Sequence, residues 1–399
     1  MIFSQGFLAA VFVGVIVGAG GCLGTGGGGF DDDVSGDADT DADTDADTDA
    51  DTDTGEGERL APEIGVGDHT PASVNLAVVA DDATLSYPTG IGFPMDNPGD
   101  LWVVNRDSDG WTLIDDVSTA GQQIRQFYDD SGPHFLNAPS SIAFSRNGEP
   151  FLATCNENAN DYNGMQPDDG FMGPVAWTTD RSIFGGGGMS HHDMAHEENW
   201  CMGIAWSEEH VFWAFNGELG SLDRVDYHNW HPDAAGGLGG DDHTDGEIFR
   251  YAQGQVQRVV DVPSHMVHNP ADGYVYVNDT GNARIVKIDA TPQSGSPTAG
   301  RFAEMSMYLC DAALEVVVAP GEMERPSGLA LFNDLLYVTD FANGQIKAFT
   351  LAGELVNWLD TGTGRGISGI ALTADGVVYF AHSLEEAVYR IDPIVPPEG

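Results

Sequence analysis

One short phrase returns six times along the chain, and it constrains the fold more than any other feature. The copies read Pro88-Thr-Gly90-Ile-Gly, Pro139-Ser-Ser141-Ile-Ala, Cys201-Met-Gly203-Ile-Ala, Pro263-Ser-His265-Met-Val, Pro326-Ser-Gly328-Leu-Ala and Ile367-Ser-Gly369-Ile-Ala. The last two start 41 residues apart, close to the bare period of a four-stranded propeller blade, so the longer spacings of 51 to 63 before them carry insertions. Each copy runs on into a β-branched or aromatic stretch, at 101–104, 151–154, 211–215, 274–277, 336–338 and 377–380. Such stretches suit strands packed on both faces. The clearest unit is 263–289, where an Asp272-Gly273 turn and a turn at Asn282 separate three strand-like runs.

The expected fold is therefore all-β, a six-bladed β-propeller of four-stranded antiparallel blades. The sixth copy ends after three strands, before Pro393 and Pro396-Pro397 stop it. The stretch 74–79, Val-Asn-Leu-Ala-Val-Val, is the expected fourth strand, closing the ring and removing its open edge. Three copies continue into a turn and third strand, at 279–287, 340–347 and 383–390. With these the chain resembles an NHL-repeat protein over residues 87–392. No Gly-His or Trp-Asp pair recurs in the copies, which disfavours the WD40 version.

Ahead of the repeats lie two stretches of a different kind. An apolar run from Phe7 to Gly20 ends in Ala19-Gly20-Gly21-Cys22 and resembles a bacterial lipoprotein signal peptide over 1–21, with no Lys or Arg before the run. Lipid on the Cys22 thiol is what that resemblance implies; an uncleaved anchor or an ordinary secretory signal are the alternatives. Residues 22–58 are rich in Gly and Asp, with Asp-Ala-Asp-Thr repeats that have no apolar face to bury. They are expected to form a solvated spacer rather than a calcium site, because the turn glycine and closing glutamate of an EF-hand loop are missing. The implied location is the cell envelope, at the outer membrane or cell surface with the periplasmic side open, and contact with the membrane through lipid only. The formal charge of −48 excludes nucleic acid as a natural partner. A monomer that binds an envelope protein, a glycan or a small ligand is expected.

Two departures from the repeat, at 156–200 and 228–246, read as insertions into a propeller spanning 59–399, and they carry the candidate chemistry. His192 and His196 have the i, i+4 spacing that one helical turn would place on one face, with Asp193 beside them, and His265 stands where blades 1, 3, 5 and 6 have glycine. Three histidines plus water would make an open site for zinc or another divalent transition metal. The alternative is a polar, hydrogen-bonded plug. Asp241, Asp242 and Asp245 around Gly246 offer a calcium site or simply the cap of a turn. These segments look like phrases of a subset of bacterial NHL-type proteins that has no activity to carry over.

Cys155 and Cys201 bracket the first insertion on adjacent blades, so an exported chain could bridge them; two buried thiols are the alternative, and Cys310 is left over. Two functions stay open: a binding or scaffolding module working through top-face loops and the central channel, or a metal-dependent lyase or lactonase- or esterase-type hydrolase. Amidating lyases and gluconolactonase-type hydrolases resemble the second. Their axial ligands, however, fall one residue after the proline-like position, where this chain has Thr89, Ser140, Met202, Ser264, Ser327 and Ser368.

Overall fold

The computed structural model describes residues 61–128, 135–159, 171–182, 184, 191–228, 245–300 and 305–394. The signal-like stretch, Cys22, the acidic spacer, Asp241 and Asp242 lie outside the described residues. Six sheets form a closed ring, each built on a four-stranded antiparallel blade: a six-bladed β-propeller. The innermost strands are Pro88–Gly92, Pro139–Phe144, Cys201–Glu208, Met266–Asn269, Pro326–Phe332 and Ile367–Leu372. Each lies beside the next in ring order, the sixth against the first. Blade 6 takes its outermost strand from Val74–Ala80, which runs antiparallel to Ala387–Pro393 with Val74 opposite Pro393 and Leu76 opposite Ile391.

The alternation of side chains explains where the core sits. Second strands such as Leu101–Asn105, Phe151–Asn156 and Val211–Asn216 are buried along their whole length, because both faces of each sheet meet a neighbouring blade. The outer strand Gln123–Tyr128 is exposed at the rim except at the half-buried Ile124 and Phe127. The core is consequently divided into six apolar clusters, one in each seam between adjacent blades. In the seam between blades 1 and 2, Trp102, Trp111, Trp177 and Phe184 meet edge to face or tilted, with centroids 4.7–5.9 Å apart. Burying each such side chain stabilises the seam by about 2 kcal/mol or more.

Three local features differ from the sequence expectation. The 156–200 stretch is no mere insertion: Val175–Thr178 and His191–Met194 are the third and fourth strands of blade 2. The helical turn expected around His192 is a strand instead, paired antiparallel with Trp177 opposite His191 and Val175 opposite Met194. The 228–246 insertion sits within blade 3, between its third strand Ser221–Asp226 and its fourth, Glu247–Tyr251. Blade 3 is also extended by chain from blade 4. After its third strand Arg284–Asp289, blade 4 sends out Ser296–Thr298 and Ser306–Leu309, and the latter pairs parallel to Glu247–Tyr251. The chain then returns as Glu315–Val318 to complete blade 4.

Candidate functional site: a central axis closed at one end and open at the other

The inner strands carry the same irregularity in five blades. One extra residue stands in the ladder just after the proline-like position, for instance between the pairs Pro88–Asn105 and Gly90–Val104, or Pro326–Asp340 and Leu329–Val338. Such a bulge turns the extra residue out of the pleat. Here the hydroxyl so released reaches the next blade. Thr89 Oγ1 donates to the Pro139 carbonyl at 2.7 Å, Ser140 Oγ to Cys201 O at 2.6 Å and Ser368 Oγ to Pro88 O at 2.9 Å. Between blades 4 and 5 the link runs from Thr280 Oγ1 to Pro326 O at 2.6 Å, with Ser264 Oγ 2.7 Å from that hydroxyl. Thr339 supplies the link from blade 5 to Ser368 O, and blade 3, lacking a hydroxyl at Met202, accepts from the Ser264 amide instead. Of the positions that hold metal ligands in the resembled enzymes, Thr89, Ser140, Ser264 and Ser368 therefore form a girdle of buried hydrogen bonds, Met202 joins it through its carbonyl, and the buried Ser327 hydroxyl has no hydrogen-bond partner among the described residues.

Above that girdle the axis is closed. A Cβ on Gly203 would fall 1.8 Å from Ser264 O, and one on Gly328 would fall 2.1 Å from Ser368 O, so glycine alone permits the strands to approach this closely. His265, in the matching place on blade 4, fills the remaining gap. Its Nε2–H donates to Ser140 O at 3.3 Å and its ring also faces the Thr89 backbone, bridging blade 4 to blades 2 and 1. Burial pulls its pKa down to about 4, so the ring is neutral at physiological pH.

An ion-pair network covers the same end from outside. Arg106 beside blade 1 donates to Glu157 beside blade 2 and to Asp261, which precedes blade 4. Arg258 and the Asp261 amide also bond the Glu157 carboxylate, at 2.8 and 3.1 Å. Tyr87 Oη donates to Asp261 O at 3.0 Å. Blades 1 and 4 face each other across a six-bladed ring, so this network spans the axis.

The opposite, lower end opens into a funnel of about 180 Å³. Its walls come from the last residues of all six inner strands, among them Ile91, Phe144, Trp206, Leu331 and Leu372. Three polar side chains stand among these residues: Ser145 and Arg146 of blade 2 and His268 of blade 4. Arg146 stands in a tight turn, fixed by Ser145 Oγ donating to Glu149 O at 2.6 Å and by the Glu149 amide on Asn147 Oδ1. Its side chain is exposed to solvent, and such desolvation as the surrounding protein imposes lowers its pKa without discharging it. Burial, and then the Arg146 charge, lower the His268 pKa, against the opposing pull of Asp272 and Glu208. Neither Arg146 nor His268 forms a side-chain hydrogen bond or ion pair among the described residues.

The sequence-predicted metal residues are not brought together. His265 lies on the axis, whereas His192 and Asp193 belong to the outermost strand of blade 2. His192 is buried 6.4 Å from the Phe151 ring, and Asp193 Oδ1 accepts from the Met194 amide at 2.7 Å. His196 Nδ1–H donates to Phe171 O at 2.5 Å, and its amide donates to the Met305 sulfur at 3.4 Å. Asp245 lies half-buried just before the strand Glu247–Tyr251. No group of three His, Cys, Asp or Glu side chains among the described residues is placed to hold a metal ion. Cys155 and Cys201 do form a disulfide, tying the second strand of blade 2 to the inner strand of blade 3 with Cα atoms 5.1 Å apart. Cys310 is free and half-buried.

Sequence reasoning passed over Arg146 and His268. The repeat itself carried the signal, since residues three to seven places after each proline-like position reach the axis, and an arginine there is conspicuous in so acidic a chain.

The chain is similar in fold to solved proteins of several kinds. An auxiliary nutrient binding protein from Bacteroides thetaiotaomicron VPI-5482 is similar with a TM-score of 0.51 and 12% identity, over 77% of this chain and 69% of that one. A luciferin-regenerating enzyme is similar with a TM-score of 0.50 and 10% identity, over 80% of this chain and 96% of that one. A streptogramin B lyase gives 0.48 and 14%, over 82% and 100%. At such identities the likeness establishes the fold alone. No family model matches the chain, and no curated protein matches it.

Proposed function

We propose that this chain is a binding propeller of the cell envelope, of NHL type, held to a membrane by lipid on Cys22 through the acidic spacer 22–58, and that it takes a small ligand in the funnel at its lower end. The observation that carries this reading is the asymmetry of the axis. One end is closed by inner-strand contact, His265 and an ion-pair network; the other is open, lined mostly by apolar residue types amid polar surface, and furnished with two side chains, Arg146 and His268, that have no partner among the described residues. A concave apolar site with a few convergent polar groups is what small-ligand sites look like. Nothing among the described residues favours the metal-dependent lyase or hydrolase over this.

The test is to fill the funnel from its own wall. Met95→Trp, at an exposed lining residue outside the seams, should abolish binding of small aromatic fragments detected by saturation-transfer NMR, while the unfolding temperature stays within about 3 °C of the parent. Fragment binding untouched by that substitution would move the site elsewhere. Elemental analysis tests the alternative: near-stoichiometric zinc, lost in His265→Ala, would replace the binding reading with an enzymatic one.

A further inference from the structure

We infer that the ligand of the funnel is a small monocarboxylate with an apolar body, gripped by the Arg146 guanidinium while its body rests on the apolar wall. This deepens the funnel reading above and rests on it.

Charge supplies the first argument. In a chain of formal charge −48, carboxylates are everywhere available to pair with arginine, and eight described arginines hold one. Arg146, Arg325 and Arg365 hold none among the described residues, and of these three only Arg146 lines the funnel. A guanidinium fork presents parallel N–H donors that match a carboxylate in bidentate fashion, and its charge persists at every physiological pH. Such an exposed, unpaired cation lining the funnel is free to take a carboxylate as its partner.

Size and surroundings narrow the partner. A cavity of about 150 Å³ takes benzene, so a funnel of about 180 Å³ suits a molecule of roughly six to ten heavy atoms. Ile91, Phe144, Trp206, Leu331 and Leu372 offer that molecule apolar contacts amid polar surface, and no second cation. A dianion such as a phosphate monoester would find one compensating charge, a neutral His268, and the carboxylates of Asp272 and Glu208 acting on that same histidine. A single negative charge fits; two would be under-compensated. His268 stands beside Arg146 as a neutral ring able to offer one N–H to the same carboxylate.

The experiment is a calorimetric titration of the purified full chain with benzoate and with benzamide, its neutral isostere, in 0.1 M salt. The parent should bind benzoate at least tenfold more tightly than benzamide. Arg146→Gln should erase that preference by weakening benzoate alone, and Arg146→Lys, which keeps the charge but not the fork, should fall between them. Benzamide binding as well as benzoate in the parent would overturn the carboxylate inference and leave the funnel reading standing. A benzoate preference that survives Arg146→Gln would overturn the assignment to Arg146. Neither compound binding at millimolar concentration would sink both readings. Should Arg146→Gln fail to fold, the Arg146→Lys titration decides alone: a tenfold preference unchanged by the loss of the fork overturns the proposed grip.

Discussion

A neutral imidazole on the axis is a demanding thing for a fold to keep. His265 is 7% exposed, its proton is committed to a backbone carbonyl, and burial holds its pKa at about 4 against the ordinary 6.5. Above pH 6.5 the ring is neutral in the folded and unfolded chain alike, and pH has no purchase on it. Between 6.5 and about 4 only the unfolded chain takes up the proton, so stability falls as the pH is lowered, by about 3 kcal/mol in all. Below about 4 both forms are protonated and the loss levels off. His268 and His382 also have lowered pKa values and add to the same trend. Denaturant titrations of the parent and His265→Gln at pH 7.5, 5.5 and 4.5 isolate the share of His265: the variant should lose less stability across that range. Parallel profiles would mean that the ring is not buried neutral. His265 was legible in the sequence because it breaks a glycine pattern. Its partners were not, since its bonds go to backbone carbonyls of blades 1 and 2, which carry no side-chain signature.

At the scale of strands, the sequence was readable wherever the local pattern and the tertiary environment agree. Inner and second strands alternate or run apolar, and the closing strand Val74–Ala80 stands out as an apolar run ahead of the first repeat. Blade 2's outer strands were hidden for a physical reason. His191–Met194 is spelled His-His-Asp-Met, poor in β-formers, and becomes a strand because its neighbours supply what its sequence does not. His191 stacks on Phe135 with centroids 3.7 Å apart and meets Trp177 edge to face. The parallel pairing of Ser306–Leu309 onto blade 3 is non-local and leaves no periodic trace. The disulfide is the covalent counterpart of these contacts. It closes a stretch with a sequence separation of 46 that contains both hidden strands. Chain-entropy arithmetic puts the stabilisation from a loop of that length at about 4 kcal/mol. The double variant Cys155→Ala/Cys201→Ala should lose stability of that order in guanidinium titrations, and reductant should lower the parent toward it while leaving the variant unmoved. A variant as stable as the parent would assign the whole anchoring of blade 2 to packing.

For the molecule as a whole, the apolar seams and the hydroxyl girdle work against a large uncompensated charge. Of the net −48, fourteen acids lie between Asp31 and Glu58, which leaves an excess of thirty-four on the remainder of the chain, with lysine only at 287 and 347. Ion pairs such as Arg106 with Glu157 and Asp261, or Arg250 with Asp223 and Glu198, neutralise carboxylates where the chain buries them; most of the excess is left at the surface. Surface charges a Debye length apart feel one another at about 10 Å in 0.1 M salt and at about 3 Å in 1 M, so added salt removes repulsion that the buried network does not experience. Raising potassium chloride from 0.05 to 1 M should therefore stabilise the ring by about 1–2 kcal/mol, seen as a rise of roughly 2–5 °C in the unfolding temperature. Sodium and potassium should act alike if screening is the cause. A fall in unfolding temperature would mean that the surface ion pairs outweigh the repulsion, and a strong preference for one cation would point instead to carboxylate clusters that bind it.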